Sequence, residues 1–417
     1  MSSQSVSINV GVLGAGIVGV CVALALQRDG HAVTLIERDE PGRGCSFGNA
    51  GIIHTGGCVP MSTPGNILTF PRTLFDPESA LRIPACDLPR LMPWLLRMLA
   101  QSQPARVQAN AKALAPLALA AAKAYDPLLR EAGCEDVMRP RGELYVYRTE
   151  AAFKAAEWEM KLRREFGVQV ENLEGGAIRE MEPALSTEYR YAHWQPASRF
   201  VTSPLRLTQS LAALFVAKGG TILKADVSET RPDGSGGATL VTSNGEIRAE
   251  KLVICAGAFS KKFAARFGAD IPLQTWRGYH VMAPYEGITM NGLVADGEKH
   301  IAVSPMEDGL RVAGMLEIAN LDSPPNYERT DMFLRLAKSM IPAFPSTVDR
   351  RWMGNRPGMP DSLPVICRAP RHENIYFAFG HGTLGLTFGA VTGQLIADLA
   401  ANRKPPIDLW PYRATRF

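Results

Sequence analysis

The sequence predicts an α/β protein of two interleaved domains, and three observations carry that expectation. The amino-terminal stretch Val10-Gly11-Val12-Leu13-Gly14-Ala15-Gly16-Ile17-Val18-Gly19 sets glycines on the G-x-G-x-x-G spacing between an apolar strand and a helix. Two later apolar strands, residues 251–255 and 375–379, also run into turns of small residues. Between these pieces lie helices and alternating strands that share no pattern with them.

Residues 8–13 read as a strand and 18–28 as a helix packed behind it. Gly14 permits the tight turn, Gly16 lets a pyrophosphate approach the backbone, and Gly19 lets helix and strand pack closely. The backbone around Ala15, Ile17 and Val18, with the positive end of the helix dipole, then faces the phosphates. A second strand, 32–36, ends at Glu37, followed by Arg38. A carboxylate there accepts from adenosine ribose hydroxyls and repels a 2′-phosphate, which argues against NADP. This Rossmann-like order predicts an ADP-containing dinucleotide; the motif alone does not separate FAD from NAD.

A chain of 417 residues is long enough for two substantial cores. Its 46% hydrophobic and 21% charged residues are those of an ordinary soluble globular protein. A net charge of +4 without a Lys/Arg block argues against nucleic acid as a partner. The seven cysteines are odd in number and have no metal-ligand spacing, so no metal is expected, and reduced thiols in the cytoplasm are. Cys21 and Cys255 lie in apolar runs and are expected in the core. The leader, residues 1–5, carries no positive side chain, and glycines interrupt the apolar run after it, so neither a signal peptide nor a membrane span is expected. Residues 88–99 (LPRLMPWLLRML) place aromatic, aliphatic and basic groups at helical spacing; a core stripe is expected, with peripheral contact on the inner face of the cell membrane as the alternative.

After Glu37 an NAD-type domain would continue into helix and strand, whereas residues 41–71 are rich in Gly, Pro, Ser, Thr and Asn. So long an irregular stretch in a compact domain is usually functional. Within it, Cys45-Ser46-Phe47-Gly48-Asn49-Ala50-Gly51-Ile52-Ile53-His54 allows close backbone approach, with Ser46 a donor to phosphate and Asn49 a partner for polar ligand edges. Residues 108–131 and 150–166 read as helices and 142–147 as a strand. Ser203 and Pro204 open a helix running to 218, followed by a strand at 220–226 and a turn-linked strand pair. Strand patterns at 274–283, 300–305 and 310–318 precede a helix at 330–340. Residues 375–379, the turn Gly380-His381-Gly382-Thr383-Leu384-Gly385-Leu386-Thr387 and a helix from 388 repeat the logic of the first unit.

Together the amino-terminal fingerprint, Ser46 with Asn49-Ala50-Gly51, Arg277-Gly278-Tyr279, Arg356-Pro357 with Pro360-Asp361, and Gly380-His381-Gly382-Thr383-Leu384-Gly385 resemble the FAD-dependent amino-acid oxidoreductases of the D-amino-acid oxidase superfamily. Within it the chain is most similar to bacterial D-amino-acid dehydrogenases of the small-subunit type and the D-hydroxyproline enzymes. The resemblance implies an FAD-binding domain assembled from residues 1–95, 171–260 and 346–417, and a substrate domain with a large antiparallel sheet and helices from 96–170 and 261–345. It implies noncovalent FAD, with Ser46, Asn49, Ala50, Gly51 and Ile52 along the pyrophosphate and flavin. Val227 falls by the adenine, Ala256 and Gly257 near the ADP half, and Gly382, Thr383, Leu384, Gly385, Leu386 and Thr387 towards the flavin pyrimidine. A helix amino terminus there stabilises the negative charge of reduced flavin. One departure is Ile52-Ile53-His54, where the family commonly has a polar residue and then Ser or Pro; it brings a histidine towards the flavin face.

The activity implied is oxidative deamination of a small-molecule amino acid by hydride transfer from Cα to flavin N5. It yields an imine, then a 2-oxo acid and ammonia, with electrons passed to a quinone or other carrier. Arg356 occupies the place of the carboxylate-binding arginine, suited by its planar fork, and Tyr279 could add a hydrogen bond to the carboxylate or be a buried sheet tyrosine. His54 or His280 could accept the ammonium proton; His381, inside the glycine turn, is expected to tune the flavin or to support the loop. Alternatives are a glycine- or sarcosine-type oxidase producing hydrogen peroxide, and an electron-transferring flavin subunit of a larger complex. An oligomer or a partner subunit is compatible with either.

Overall fold

The computed structural model describes residues 6–65, 79–285 and 287–417. The leader 1–5 and residues 66–71 of the irregular stretch lie outside the described residues. The first unit forms as the glycine spacing requires: strand Val6–Leu13, helix Ile17–Arg28 and strand Val33–Glu37. These belong to an eight-stranded sheet whose centre is parallel, in the order Thr221–Lys224, Val33–Glu37, Val6–Leu13, Gly245–Ile254, His372–Phe379. Register aligns Leu13 with both Ile36 and Ile254, so the carboxyl ends of these strands finish level. A nucleotide site opens at that edge of a doubly wound sheet. The first half of Gly245–Ile254 also pairs antiparallel with Ala238–Thr242, which continues to Val227–Pro232.

Helix Gly385–Ala400 packs on Ile17–Arg28 so closely that a Cβ on Gly393 would stand 2.5 Å from the Cys21 carbonyl oxygen. The helix Pro104–Ala132 joins them, burying Leu114, Ala118, Ala121 and Tyr125 in the same core. Its alanines present a nearly smooth face, and the Tyr125 hydroxyl donates to the Leu386 carbonyl at 2.6 Å. A helix expected in the substrate segment 96–170 therefore packs on the nucleotide side. Cys21 and Cys255 are buried in this core, as expected.

A nine-stranded sheet runs in the order Arg350–Gly358, Gln274–Ala283, Gly309–Ile318, Ile301–Met306, Val294–Asp296, Glu143–Tyr147, Tyr191–Gln195, Glu171–Glu174, with Leu81–Arg82 also beside Gly309–Ile318. It is antiparallel except where Val294–Asp296 meets Glu143–Tyr147 and where Leu81–Arg82 joins. Leu81–Arg82, Glu171–Glu174, Tyr191–Gln195 and Arg350–Gly358 thus pair in this sheet, across the segment limits read at 95, 170 and 345. Long-range pairing, which sequence periodicity does not report, decides their membership. Helix Asp331–Met340 covers one face through Phe333 and Met340. A small sheet of Ile52–Ile53, Arg199–Val201 and Met138–Arg139 pins the glycine-rich segment after Glu37.

Helix Leu88–Gln101 buries Leu91, Trp94 and Met98 against Ile83, Trp276 and Ile318, and exposes Met92, Leu96 and Leu99. One face is the expected core stripe. No described helix is long and apolar enough to cross a membrane.

Candidate active site

A cavity of about 360 Å³ opens at the carboxyl edge of the parallel sheet, lined at one end by Gly14, Gly16, Glu37 and Arg38 and at the other by His54, Arg356 and residues 382–387. Gly14, at φ +105°, turns the chain where a Cβ would lie 2.6 Å from the Cys255 carbonyl oxygen. A Cβ on Gly19 would lie 1.8 Å from the Gly14 oxygen, so this glycine serves helix–turn packing and does not line the cavity. Gly16 caps helix Ile17–Arg28 with no side-chain hydrogen bond, while Ser46 Oγ accepts from the Ile17 amide at 3.0 Å. Glu37 Oε2 accepts from the Ala15 amide at 2.7 Å, which engages Ala15 away from the cavity. The result is a helix amino terminus facing a glycine-walled cleft with the Glu37 carboxylate beside the glycine turn, a geometry suited to a dinucleotide.

Ile17, Val18, Ser46, Asn49, Ala50, Ile52, Val227, Ala256 and Gly257 line the same cavity. Asn49 does so with its side-chain oxygen already taken by the Gly51 amide at 2.8 Å; it shapes the turn more than it offers an acceptor. Gly51 is absent from the lining. At φ +80° it turns the segment where a Cβ would meet the Val201 carbonyl oxygen at 2.4 Å. At the opposite wall helix Gly385–Ala400 starts without a side-chain cap, behind lining residues Gly382, Thr383, Leu384, Gly385, Leu386 and Thr387. Thr387 Oγ1 accepts from the His54 amide at 3.1 Å and donates to the Ile52 oxygen at 3.3 Å, locking the two glycine-rich segments together. His381 is buried, with Nε2 3.0 Å from Thr392 Oγ1, and burial pushes it down to about 3. It supports the turn as a neutral ring.

A second cavity of about 1000 Å³ lies beyond, walled by Tyr145, Tyr147, Trp158 and Met160 on one side and Leu293, Ile301 and Ala313 on another. Ala50, Ile52, Glu143 and Arg356 line both cavities and so mark their junction. Arg356, on strand Arg350–Gly358, donates to the Met315 oxygen at 3.3 Å and has no carboxylate partner among the described residues. Burial holds its guanidinium below the ordinary value, with Cys45 partly offsetting. A Cβ on Gly278 would lie 2.0 Å from the Arg356 Cζ, so the neighbouring glycine clears the space that the guanidinium fills.

Two expected residues lie elsewhere. The Tyr279 hydroxyl donates to Glu317 and accepts from the Asn326 amide at 3.1 Å, and burial pushes it up to about 12. It lines neither cavity, because the strand's alternation turns it to the opposite sheet face, into the core with Val281 and Val312. His280 stacks on Trp352 with ring centroids 5.0 Å apart, and burial, then Arg311, pushes it down to about 3. It lines neither cavity and is a neutral core histidine. These positions correct the expectation that Tyr279 binds carboxylate and that His280 takes a proton.

Glu143, Trp352, Asn355 and Phe259 line the first cavity without having been singled out from sequence. A carboxylate opening the otherwise apolar strand Glu143–Tyr147 was the available sign for Glu143.

A nucleotide cleft at a parallel sheet edge, continued by a chamber with an uncompensated arginine at its entrance, defines a dinucleotide-dependent protein with room for a second small molecule. Residues 9–399 match the family described as FAD dependent oxidoreductase, and the chain belongs to that family. It is 34% identical to the D-amino-acid oxidase of Bradyrhizobium diazoefficiens, over 98% of this chain and 99% of that one. It is 31% identical to D-amino acid dehydrogenase 2 of Mesorhizobium japonicum, over 95% and 97%. The fold is similar to that of glycine oxidase from Geobacillus kaustophilus, with a TM-score of 0.77 at 23% identity, covering 99% of this chain and all of that one. The residues present fit FAD: two uncapped helix amino termini, a cleft without side chains at Gly14 and Gly16, and Glu37 at the ribose end.

Proposed function

We propose that the chain catalyses FAD-dependent oxidative deamination of an amino acid, of the D-amino-acid or D-proline type, with FAD bound noncovalently. Bound FAD supplies the hydride acceptor; the chain supplies position and electrostatics. The observation that carries the reading is Arg356, a cation without a carboxylate partner at the junction of the two cavities. Its fork pairs with a substrate carboxylate and leaves Cα–H facing the flavin end of the cleft. With the ammonium proton released to solvent, loss of the hydride from Cα leaves an iminium ion, which water converts to a 2-oxo acid and ammonium, or which stays cyclic for a ring amine. The D preference draws on the relatives named D-amino-acid oxidase and D-amino acid dehydrogenase. The same two names divide the acceptor between oxygen and a quinone or other carrier; we favour the carrier, in the cytoplasm.

The test is the absorbance spectrum of the purified protein, followed by anaerobic addition of D- and L-amino acids, including proline and hydroxyproline. A flavin band bleached by one D-amino acid is expected, with slow return of colour in air. Fast return selects the oxidase. A flavin that no amino acid bleaches overturns the deamination reading in favour of an electron-transferring subunit.

A further inference from the structure

Arg356 is not the one charged side chain at the junction. Glu143 lines both cavities too, is 4% exposed, and opens the strand Glu143–Tyr147. Its Oε1 accepts from the Tyr145 hydroxyl at 2.9 Å, and its Oε2 faces His54 Nδ1; neither His54 Nδ1 nor Glu143 Oε2 has another partner among the described residues. The guanidinium of Arg163, whose charge acts on Glu143, donates to the Gly56 carbonyl at 3.1 Å and to Glu159 at 3.2 Å. Burial pushes the Glu143 carboxyl up, but His54, the Tyr145 hydroxyl and Arg163 outweigh it and hold the group below the usual carboxylate range. Among the described residues Glu143 is ion-paired to His54 and to no arginine or lysine, so a permanent cation that reached its oxygens would stabilise the buried carboxylate further.

We propose that Glu143 binds the α-ammonium group of the substrate while Arg356 binds its carboxylate, so that the junction is a template for an amino-acid zwitterion and His54 holds Glu143 in place. The inference rests on the reading of the substrate as an amino acid. A carboxylate oxygen has two acceptor sites, so each oxygen of Glu143 retains capacity after its present contact. Opposite charges lining the junction of the two cavities orient a ligand that carries both, and they discriminate against a plain carboxylic acid, which brings Glu143 no ammonium partner. His54 acts here as a positioning residue, set by the hydrogen bond its backbone N–H donates to Thr387 Oγ1 and by the Glu143 contact.

The test uses two ligands of one skeleton, 2-aminoisobutyrate and isobutyrate. Neither carries both an α-amine and a Cα–H, so neither is deaminated, and binding to the FAD-loaded protein is read from the flavin absorbance. Wild-type protein is expected to bind 2-aminoisobutyrate more tightly. Glu143→Gln should weaken 2-aminoisobutyrate by roughly tenfold or more and leave isobutyrate unchanged, as one charge-assisted contact is lost. Arg356→Ala should weaken both. The wild-type preference should also vanish as pH rises through the ligand's ammonium pKa, a measurement that needs no variant to fold. Equal affinity of wild-type protein for the two ligands, or equal weakening of both by Glu143→Gln, overturns the proposal. Failure of wild-type protein to bind either ligand, with no amino acid reducing the flavin, instead overturns the reading of the substrate.

Discussion

Arg356 and Gly278 act as a pair although 78 positions separate them, because Trp276 and Arg356 face each other on adjacent strands. Arg356→Ala should lower kcat/KM by roughly a hundredfold with FAD retained, the worth of a bidentate charge-assisted contact; steady-state kinetics beside the flavin spectrum checks it. Gly278→Ala leaves every charge in place, yet its Cβ would overlap the guanidinium at 2.0 Å. The arginine must swing, and the expected loss in kcat/KM is on the order of tenfold to a hundredfold without loss of flavin. Kinetics equal to wild type in Gly278→Ala would show that the arginine does not need its present position. Arg356 was legible in the sequence through its motif. Tyr279 and His280 misled because a motif gives proximity along the chain, while strand alternation and packing decide which side chains reach the cavity.

At the scale of elements, the strand–turn–helix from Val6 to Arg28 is the most local structure in the molecule and the most readable. Gly14, Gly16 and Gly19 do three different jobs there: a positive-φ turn, an open phosphate wall and a helix contact. Gly16→Val places branched methyl groups in the cleft beside Ser46 Oγ, which a Cβ already approaches to 3.4 Å. The variant should fold, by circular dichroism, and purify without FAD; full flavin content would count against the cleft as the binding site. The long Ala-rich helix was equally legible as a helix, but not where it packs. Its small residues suit any close neighbour, and the choice of Ile17–Arg28 and Gly385–Ala400 comes from the tertiary arrangement.

For the whole molecule, three buried histidines set a pH dependence. Burial pushes His280 and His381 down to about 3 and His193 to about 4, below the ordinary 6.5. They stay neutral in the native state while the unfolded chain binds their protons, so stability falls as pH drops below 6.5. Each loses on the order of 2 kcal/mol between pH 7.5 and 5. Glu182 opposes them, because burial pushes its carboxyl up to about 7 and it gains stability as pH falls. A net loss of a few kcal/mol at pH 5 is expected from urea unfolding curves, and equal midpoints at pH 7.5 and pH 5 would contradict neutral burial.

The sequence by itself determined the dinucleotide unit and the separation of its pieces along the chain, because each is written in local spacing, whereas Arg356 was singled out through the family resemblance. The tertiary structure alone decided that Leu81–Arg82, Tyr191–Gln195 and Arg350–Gly358 share one sheet, that Tyr279 faces the core, and that Glu143 and Arg356 both line the junction of two cavities. Those outcomes depend on pairings between residues far apart in the chain, and local periodicity carries no record of which distant strand satisfies a given backbone edge.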